Sequence, residues 1–184
     1  MALEQKGEEY KYMCGFEESC GYLKGTYARD KDAVVASMLV CEMAAFFKKQ
    51  GKNILDAMNE VYAAHGYYLA YVQSIELTGS DAMEKAAKMM ADLRGSVPEA
   101  IGGVKVTAVR DYRSSIAKNI LTGNESEIRL PKSNVLEFIL GENGSVIARP
   151  SGTEPKVKFY YTAVGKDESE AKTLLDAMVD QMAK

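Results

Sequence analysis

The segment Ile147–Tyr161, IARPSGTEPKVKFYY, breaks two runs of strand-forming residues with Arg149-Pro150-Ser151-Gly152-Thr153-Glu154-Pro155. The residue types suit one kind of chemistry, the binding of an oxyanion. Arg149 offers a planar fork of two parallel N–H groups that matches two oxygens of a phosphate. Ser151 and Thr153 add hydroxyl donors. Gly152 carries no Cβ, which permits a positive φ and lets a ligand approach its N–H. Pro150 and Pro155 stiffen the loop ends. Lys156 and Lys158 add positive charge just beyond. A turn with successive inward N–H groups makes an anion nest. The same residues also fit a tight hairpin loop in which Arg149 pairs with Glu154, and composition alone leaves both readings open.

A second cluster lies near the start, in CGFEESCGYLKGTYARDKDA, where Glu17 and Glu18 stand between glycines. Two adjacent carboxylates can bind a metal, move protons or accept hydrogen bonds from sugar hydroxyls. A hard cation needs several oxygens around it, and few are nearby in sequence. An ionised carboxylate is an acceptor only, which suits a polyol, and Ser19 adds a hydroxyl. The plain alternative is a solvated acidic turn. Arg29 and Lys31 precede a helix, where their charge opposes the helix dipole, a local cost that points to contact with an anion.

These loops need elements to hold them. The chain has 184 residues, 47% hydrophobic and 27% charged, enough for a packed core. Its net charge of −3 speaks against nucleic acid and anionic membranes as partners. No apolar run nears the roughly 20 residues that span a bilayer. MALEQKGEEYKYM holds no apolar signal segment. Three cysteines, Cys14, Cys20 and Cys41, without a CxxC pair suit a reduced, cytoplasmic setting. His65 is the single histidine, so a zinc site is not expected.

Along the chain the pattern predicts a short strand at Tyr10–Met13 and a glycine-rich turn. A helix over 32–49 follows, apolar nearly all round and therefore buried, capped by Asp30 or Asp32 and ended by Gly51. Asn53 caps a shorter helix with Ile54, Ala57, Met58 and Val61 on one face, stopping near Gly66. Tyr67–Leu77 reads as a strand. The next helix has an apolar stripe of Met83, Ala86, Met90 and Leu93 and a capping box of Asp81 and Glu84. Val104–Tyr112 reads as one strand, 113–133 as a polar loop, and 134–150 as a hairpin with Asn143-Gly144 in its turn. A strand from Lys156 and a final helix with Ala171, Leu174, Met178 and Met182 on one face complete the order. The predicted class is α+β. Residues 67–184 form an antiparallel sheet flanked by helices, and 1–62 form the helical remnant of an α/β domain whose own sheet is missing.

With both loops in view, the chain resembles the C-terminal part of the α-D-phosphohexomutases, the phosphoglucomutase and phosphomannomutase family. That family's sugar loop has the form G-E-E-S-G; here it reads Gly15-Phe16-Glu17-Glu18-Ser19-Cys20-Gly21. Its phosphate loop is similar to Arg149–Pro155. The GFEES form followed by YARDKDAVVAS looks most like the bacterial phosphoglucomutase branch. The resemblance implies that Glu17 and Ser19 hold sugar hydroxyls. Lys31 would meet the substrate, and Arg149, Ser151, Gly152, Thr153 and Lys158 would hold the phosphate that is not being transferred. It implies a TBP-like fourth domain, preceded by the end of the third.

The family's catalytic serine lies in a Ser-His-Asn loop and its Mg²⁺ in Asp-x-Asp-x-Asp, and neither run occurs here. The resemblance therefore places the nucleophile and the metal upstream. No cofactor is expected on this chain. The expected partners are a phosphorylated hexose, the remaining domains of the same protein and, through the uncovered helix at 32–49, a second copy.

Overall fold

The computed structural model describes residues 4–8, 11–17 and 20–182. It divides into two compact units, one reaching Val61 and the other starting at Tyr62.

In the first unit a hairpin of β1 (Cys14–Glu17) and β2 (Gly21–Lys24) precedes α1 (Ala33–Lys49) and the greater part of α2 (Ile54–His65). The strand expected at Tyr10–Met13 is not there. Lys11–Met13 are outside any strand and Tyr10 lies outside the described residues. The segment read as a turn forms the hairpin instead, with Cys14 opposite Lys24 and Glu17 opposite Gly21. Backbone pairing overrides the weak strand preference of its Gly and Glu residues.

Asp32 is the cap of α1: its Oδ1 accepts from the Val34 and Val35 amides at 2.8 and 3.3 Å. The Tyr27 hydroxyl donates to the other carboxylate oxygen. These donors, Tyr27 foremost, hold the Asp32 carboxyl below the usual carboxylate range. A depressed folded pKa stabilises above the unfolded pKa, and that contribution disappears as pH falls through the folded value. Acidification below about pH 4 should therefore fray the first turn of α1. The Val34 and Val35 amide shifts in a pH series would report it, and Asp32→Ala should abolish the transition. At the other end Gly51 takes φ 74°, its amide bonding Lys48 O at 3.1 Å.

The helix expected to be buried contains no buried residue, and Val34 and Phe46 are 80% and 60% exposed. Its apolar surface is wide enough for a sheet, and its contacts with β2 leave none of its residues buried. Asn53 caps α2, accepting from the Leu55 and Asp56 amides at 2.8 and 3.0 Å, while Asp56 Oδ2 accepts from the Asn53 amide.

The second unit is α+β. Its main sheet contains β3 (Tyr67–Glu76), β6 (Ala108–Asp111), β7 (Ile116–Asn119), β8 (Glu125–Glu127), β9 (Leu136–Ile139), β10 (Gly144–Pro150) and β11 (Lys156–Gly165). The order is β3-β11-β10-β9-β6-β7-β8, antiparallel throughout. The short β4 (Ala100–Ile101) and β5 (Val104–Lys105) pair separately. Along β11, Val157, Phe159, Tyr161 and Ala163 are buried and alternate with partly exposed Lys156, Lys158, Tyr160 and Thr162. The buried set joins Val146, Ala148, Leu136, Phe138 and Val109 in one core. Helices α3 (Ala82–Gly95) and α4 (Glu168–Met182) close that face with Ala86, Met90 and Met178. Alternation with period 2 thus puts the whole core on one face.

Several expectations need correction. Met83 is 51% exposed, outside the stripe that buries Ala82, Ala86 and Met90. Asp81 makes no side-chain cap bond, because its carboxylate pairs with Lys85 at 2.9 Å. The single strand at 104–112 breaks after Lys105, so that buried Val106 can bond Glu99 O while Thr107 bonds Ile139 O. The polar loop at 113–133 contains β7 and β8. They lie at the end of the sheet order, where Lys118 pairs with Glu125 at 3.7 Å and charged residues are favoured. The Asn143-Gly144 turn is a 3-10 turn over Gly141–Asn143 leading into β10.

Candidate functional site

The Arg149 loop closes the β10–β11 hairpin. Both strands extend from the core, so the loop stands on a paired base: the Ser151 amide bonds Lys156 O at 2.9 Å and the Lys156 amide bonds Glu154 O at 2.8 Å. Pro155 O accepts from the Leu77 amide at 2.8 Å, tying the loop to the end of β3. Ser151 Oγ accepts from the Thr153 and Glu154 amides at 3.4 and 3.2 Å. Its hydroxyl proton stays available to a ligand. Gly152 is not among the positive-φ glycines, and a Cβ there would meet nothing within 4 Å. The expected backbone reason for glycine is therefore absent; the space above Gly152 is simply open.

Arg149 lies opposite Lys158 across the β10–β11 ladder, and Lys158 lies opposite Ser74 on β3. Register partners share a face, here the one without the core. The Arg149 side chain is exposed and makes no hydrogen bond or ion pair among the described residues. The Lys158 side chain makes neither, although its charge acts on Glu154. Two cations directly opposite each other destabilise a ladder. Arg149 does not pair with Glu154. That carboxylate lies 2.6 Å from Lys156 Nζ. The pair keeps the Glu154 carboxyl below its ordinary range and the Lys156 ammonium above its own.

One buried charge lies on the same face. Glu137, opposite both Arg110 and Ile147, accepts from the Tyr112 hydroxyl at 2.9 Å and from Arg110 Nη1 at 3.3 Å. Burial first, then the Glu137 carboxylate, pushes the Tyr112 hydroxyl up. The sequence reading missed this trio and the Glu154–Lys156 pair. The alternation of β6 and β9 would have put Arg110 and Glu137 on one face, but their pairing depends on register across about 25 residues of chain.

In the first unit Glu17 ends β1. Lys31 Nζ lies 3.5 Å from Glu17 Oε2 and 3.1 Å from Asp30 Oδ1. Asp30 first, then Glu17, raises the Lys31 ammonium. A Cβ on Gly21 would collide with the Lys31 stem, so the glycine lets that side chain run across the hairpin. The structure thus brings Glu17 and Lys31 together; Ser19 and Glu18 lie outside the described residues.

Comparison with known proteins agrees with this architecture. The family described as phosphoglucomutase/phosphomannomutase, C-terminal domain, matches residues 85–181, and its alpha/beta/alpha domain III matches residues 2–65. The chain belongs to the phosphoglucomutase/phosphomannomutase family. A phosphoglucomutase of Staphylococcus haemolyticus is 36% identical over 160 residues, covering 86% of this chain and 29% of its own length. One from Staphylococcus aureus is 32% identical over 177 residues, covering 96% and 32%. The chain thus spans about a third of the length of these phosphoglucomutases. A crystal structure of the Paramecium exocytosis-sensitive phosphoprotein parafusin, a phosphoglucomutase in its open form, has the same fold. Its TM-score is 0.62 at 14% identity, over 98% of this chain and 31% of that one.

No helix of the described residues is long and apolar enough to cross a membrane. Nor do the described residues group three or more His, Cys, Asp or Glu side chains as a metal would require. They do not fit the Mg²⁺ that the family resemblance implies.

Proposed function

We propose that this chain supplies sugar and phosphate recognition to a phosphoglucomutase- or phosphomannomutase-type enzyme. That enzyme interconverts hexose 1-phosphate and hexose 6-phosphate through a phosphoserine and a bisphosphorylated sugar. The observation that carries the reading is the register pair Arg149–Lys158, two cations on one face beside the Ser151 turn, neither held in an ion pair. A dianion between them would turn a repulsion into an attraction.

In this reading Arg149, Ser151, Gly152, Thr153 and Lys158 hold the phosphate that is not transferred. Arg149 gives two parallel N–H groups, Ser151 its hydroxyl proton, and Gly152 an unobstructed approach. Glu17 and Ser19 accept or share hydrogen bonds with sugar hydroxyls. Lys31, bridging Glu17 and Asp30, fixes that carboxylate and meets the substrate. Phosphoryl transfer depends on positioning and charge neutralisation, so binding energy gathered at the remote phosphate is used at the reacting one. Residues 1–62, the end of an α/β domain, carry the sugar-recognising residues, and residues 67–184 carry the phosphate loop. The serine and the Mg²⁺ belong to the rest of the parent enzyme, and the chain alone has no turnover. The exposed cysteines Cys14, Cys20 and Cys41, all free, suit a cytoplasmic enzyme. The apolar surface of α1 favours self-association of the isolated chain.

Two measurements test this. Purified chain supplied with glucose 1-phosphate should yield no glucose 6-phosphate, and turnover by the chain alone would refute the division of labour. Titration with inorganic phosphate, followed by NMR, should shift the amides of 149–158. If the shifts fall elsewhere or do not occur, the phosphate assignment is lost.

A further inference from the structure

Three cations flank the loop, Arg149, Lys156 and Lys158, yet the structure treats them unequally. Lys156 lies on the same side of β11 as Lys158 and opposite Glu76 on β3. Its ammonium also sits 2.6 Å from Glu154 Oε2. The two paired residues are separated only by Pro155, whose ring fixes φ. Backbone bonds on both sides, Lys156 N to Glu154 O and Leu77 N to Pro155 O, both at 2.8 Å, keep that short segment in place. The pair is thus preorganised by the turn. Lys158, one step along the same face, has Ser74 and Arg149 as its neighbours in register and no carboxylate in salt-bridge range.

Resting on the phosphate reading above, we infer that Glu154 is a specificity-determining residue of the loop, whose carboxylate takes Lys156 out of the anion site and leaves Arg149 and Lys158 as its two working cations. The chemistry explains why such a device belongs here. A third free ammonium beside the loop would strengthen binding of any phosphate, ground state and transition state alike. Uniform tightening does not speed the chemical step and slows release of the product. Holding the third cation in an internal pair limits the grip to what one phosphate ester needs, and keeps multiply charged anions from being preferred.

The test compares four forms of this chain, wild type, Glu154→Gln, Lys156→Met and the double variant, titrated with inorganic phosphate at pH 8 and followed by ¹H–¹⁵N NMR. Glu154→Gln releases Lys156 and should bind phosphate about five- to tenfold more tightly, with a steeper loss of affinity in salt. Lys156→Met leaves the Glu154 carboxylate unpaired beside the loop and should weaken phosphate binding by a comparable factor. The double variant should return to wild-type affinity, an outcome that general disruption of the loop cannot produce. Unchanged affinity in Glu154→Gln, or a double variant that binds as weakly as Lys156→Met, would overturn the inference. If Arg149→Ala binds phosphate as well as wild type, the phosphate reading itself has failed, a different and separately visible result.

Discussion

Gly144→Ala should cost the chain about 3 kcal/mol of stability or more. Gly144 opens β10 at φ 120° and ψ −151°, a region that L side chains rarely occupy. A Cβ built there falls inside the van der Waals shell of the Thr162 carbonyl oxygen and 2.8 Å from its carbon. Both atoms are backbone of β11, so no side-chain rotation relieves the collision. Relief requires β10 to move away from β11 at the start of a ladder that carries buried Val146 and Ala148 into the core. The Leu140 amide, which bonds Gly144 O at 2.9 Å, would lose its partner in the same movement. For a chain of this size the thermal midpoint should fall by roughly 6–12 °C. Gly123→Ala is the control. Gly123 also has positive φ, 75°, but a Cβ there meets nothing within 4 Å, so only the local strain of about 1 kcal/mol is expected. Thermal unfolding followed by far-UV circular dichroism separates the two. Equal midpoints would show that the close approach of β10 to β11 does not limit stability.

Arg149→Ala should have the largest functional effect and almost none on stability. A charge-assisted hydrogen bond contributes about 1.5–3 kcal/mol, and a guanidinium makes two to one phosphate. Phosphate affinity of the chain, and kcat/KM of the intact enzyme, should fall tenfold to a hundredfold or further. Arg149→Lys keeps the charge but loses the fork, and should recover only part of the loss. Stability should stay level or rise by a few tenths of a kcal/mol, because the substitution removes a like-charge neighbour of Lys158. A gain in stability with a loss of binding is the signature of a residue placed for a ligand. Gly152→Ala follows the same logic. Its Cβ would point into open space, so stability should change by less than about 0.5 kcal/mol while phosphate binding weakens. If Arg149→Ala destabilised the fold and left phosphate binding intact, the guanidinium would be a structural group.

Much of this molecule is legible in local pattern. Period-2 alternation along Lys156–Gly165 separates core from surface residue by residue, because the pleat itself alternates. The 3.6-residue spacing of Ala171 and Met178 marks the buried side of α4, and Asp32 and Asn53 announce the helices they cap. The residue types of 149–155 suit an anion loop and an ion-paired hairpin alike, because they are contiguous and a single turn can gather them.

What the linear chain could not express is who faces whom. Strands β7 and β8 have too few apolar residues to stand out, and they exist because β6 offers an edge to pair with. Gly144 looks like half of a two-residue turn until β11 lies beside it. The apolar circumference of α1 predicts burial, yet burial needs a surface that these residues do not form. The loop's electrostatics are the sharpest case. Arg149, Glu154, Lys156 and Lys158 are all within ten residues, and any cation could claim the carboxylate. The turn at Pro155 brings Lys156 to it, and the ladder leaves Arg149 and Lys158 opposite each other. Local sequence determines which groups are present, since propensity and periodicity are short-range. Tertiary register decides which charges are neutralised and which remain for a ligand, since a Coulombic pair is a matter of a few ångströms in space.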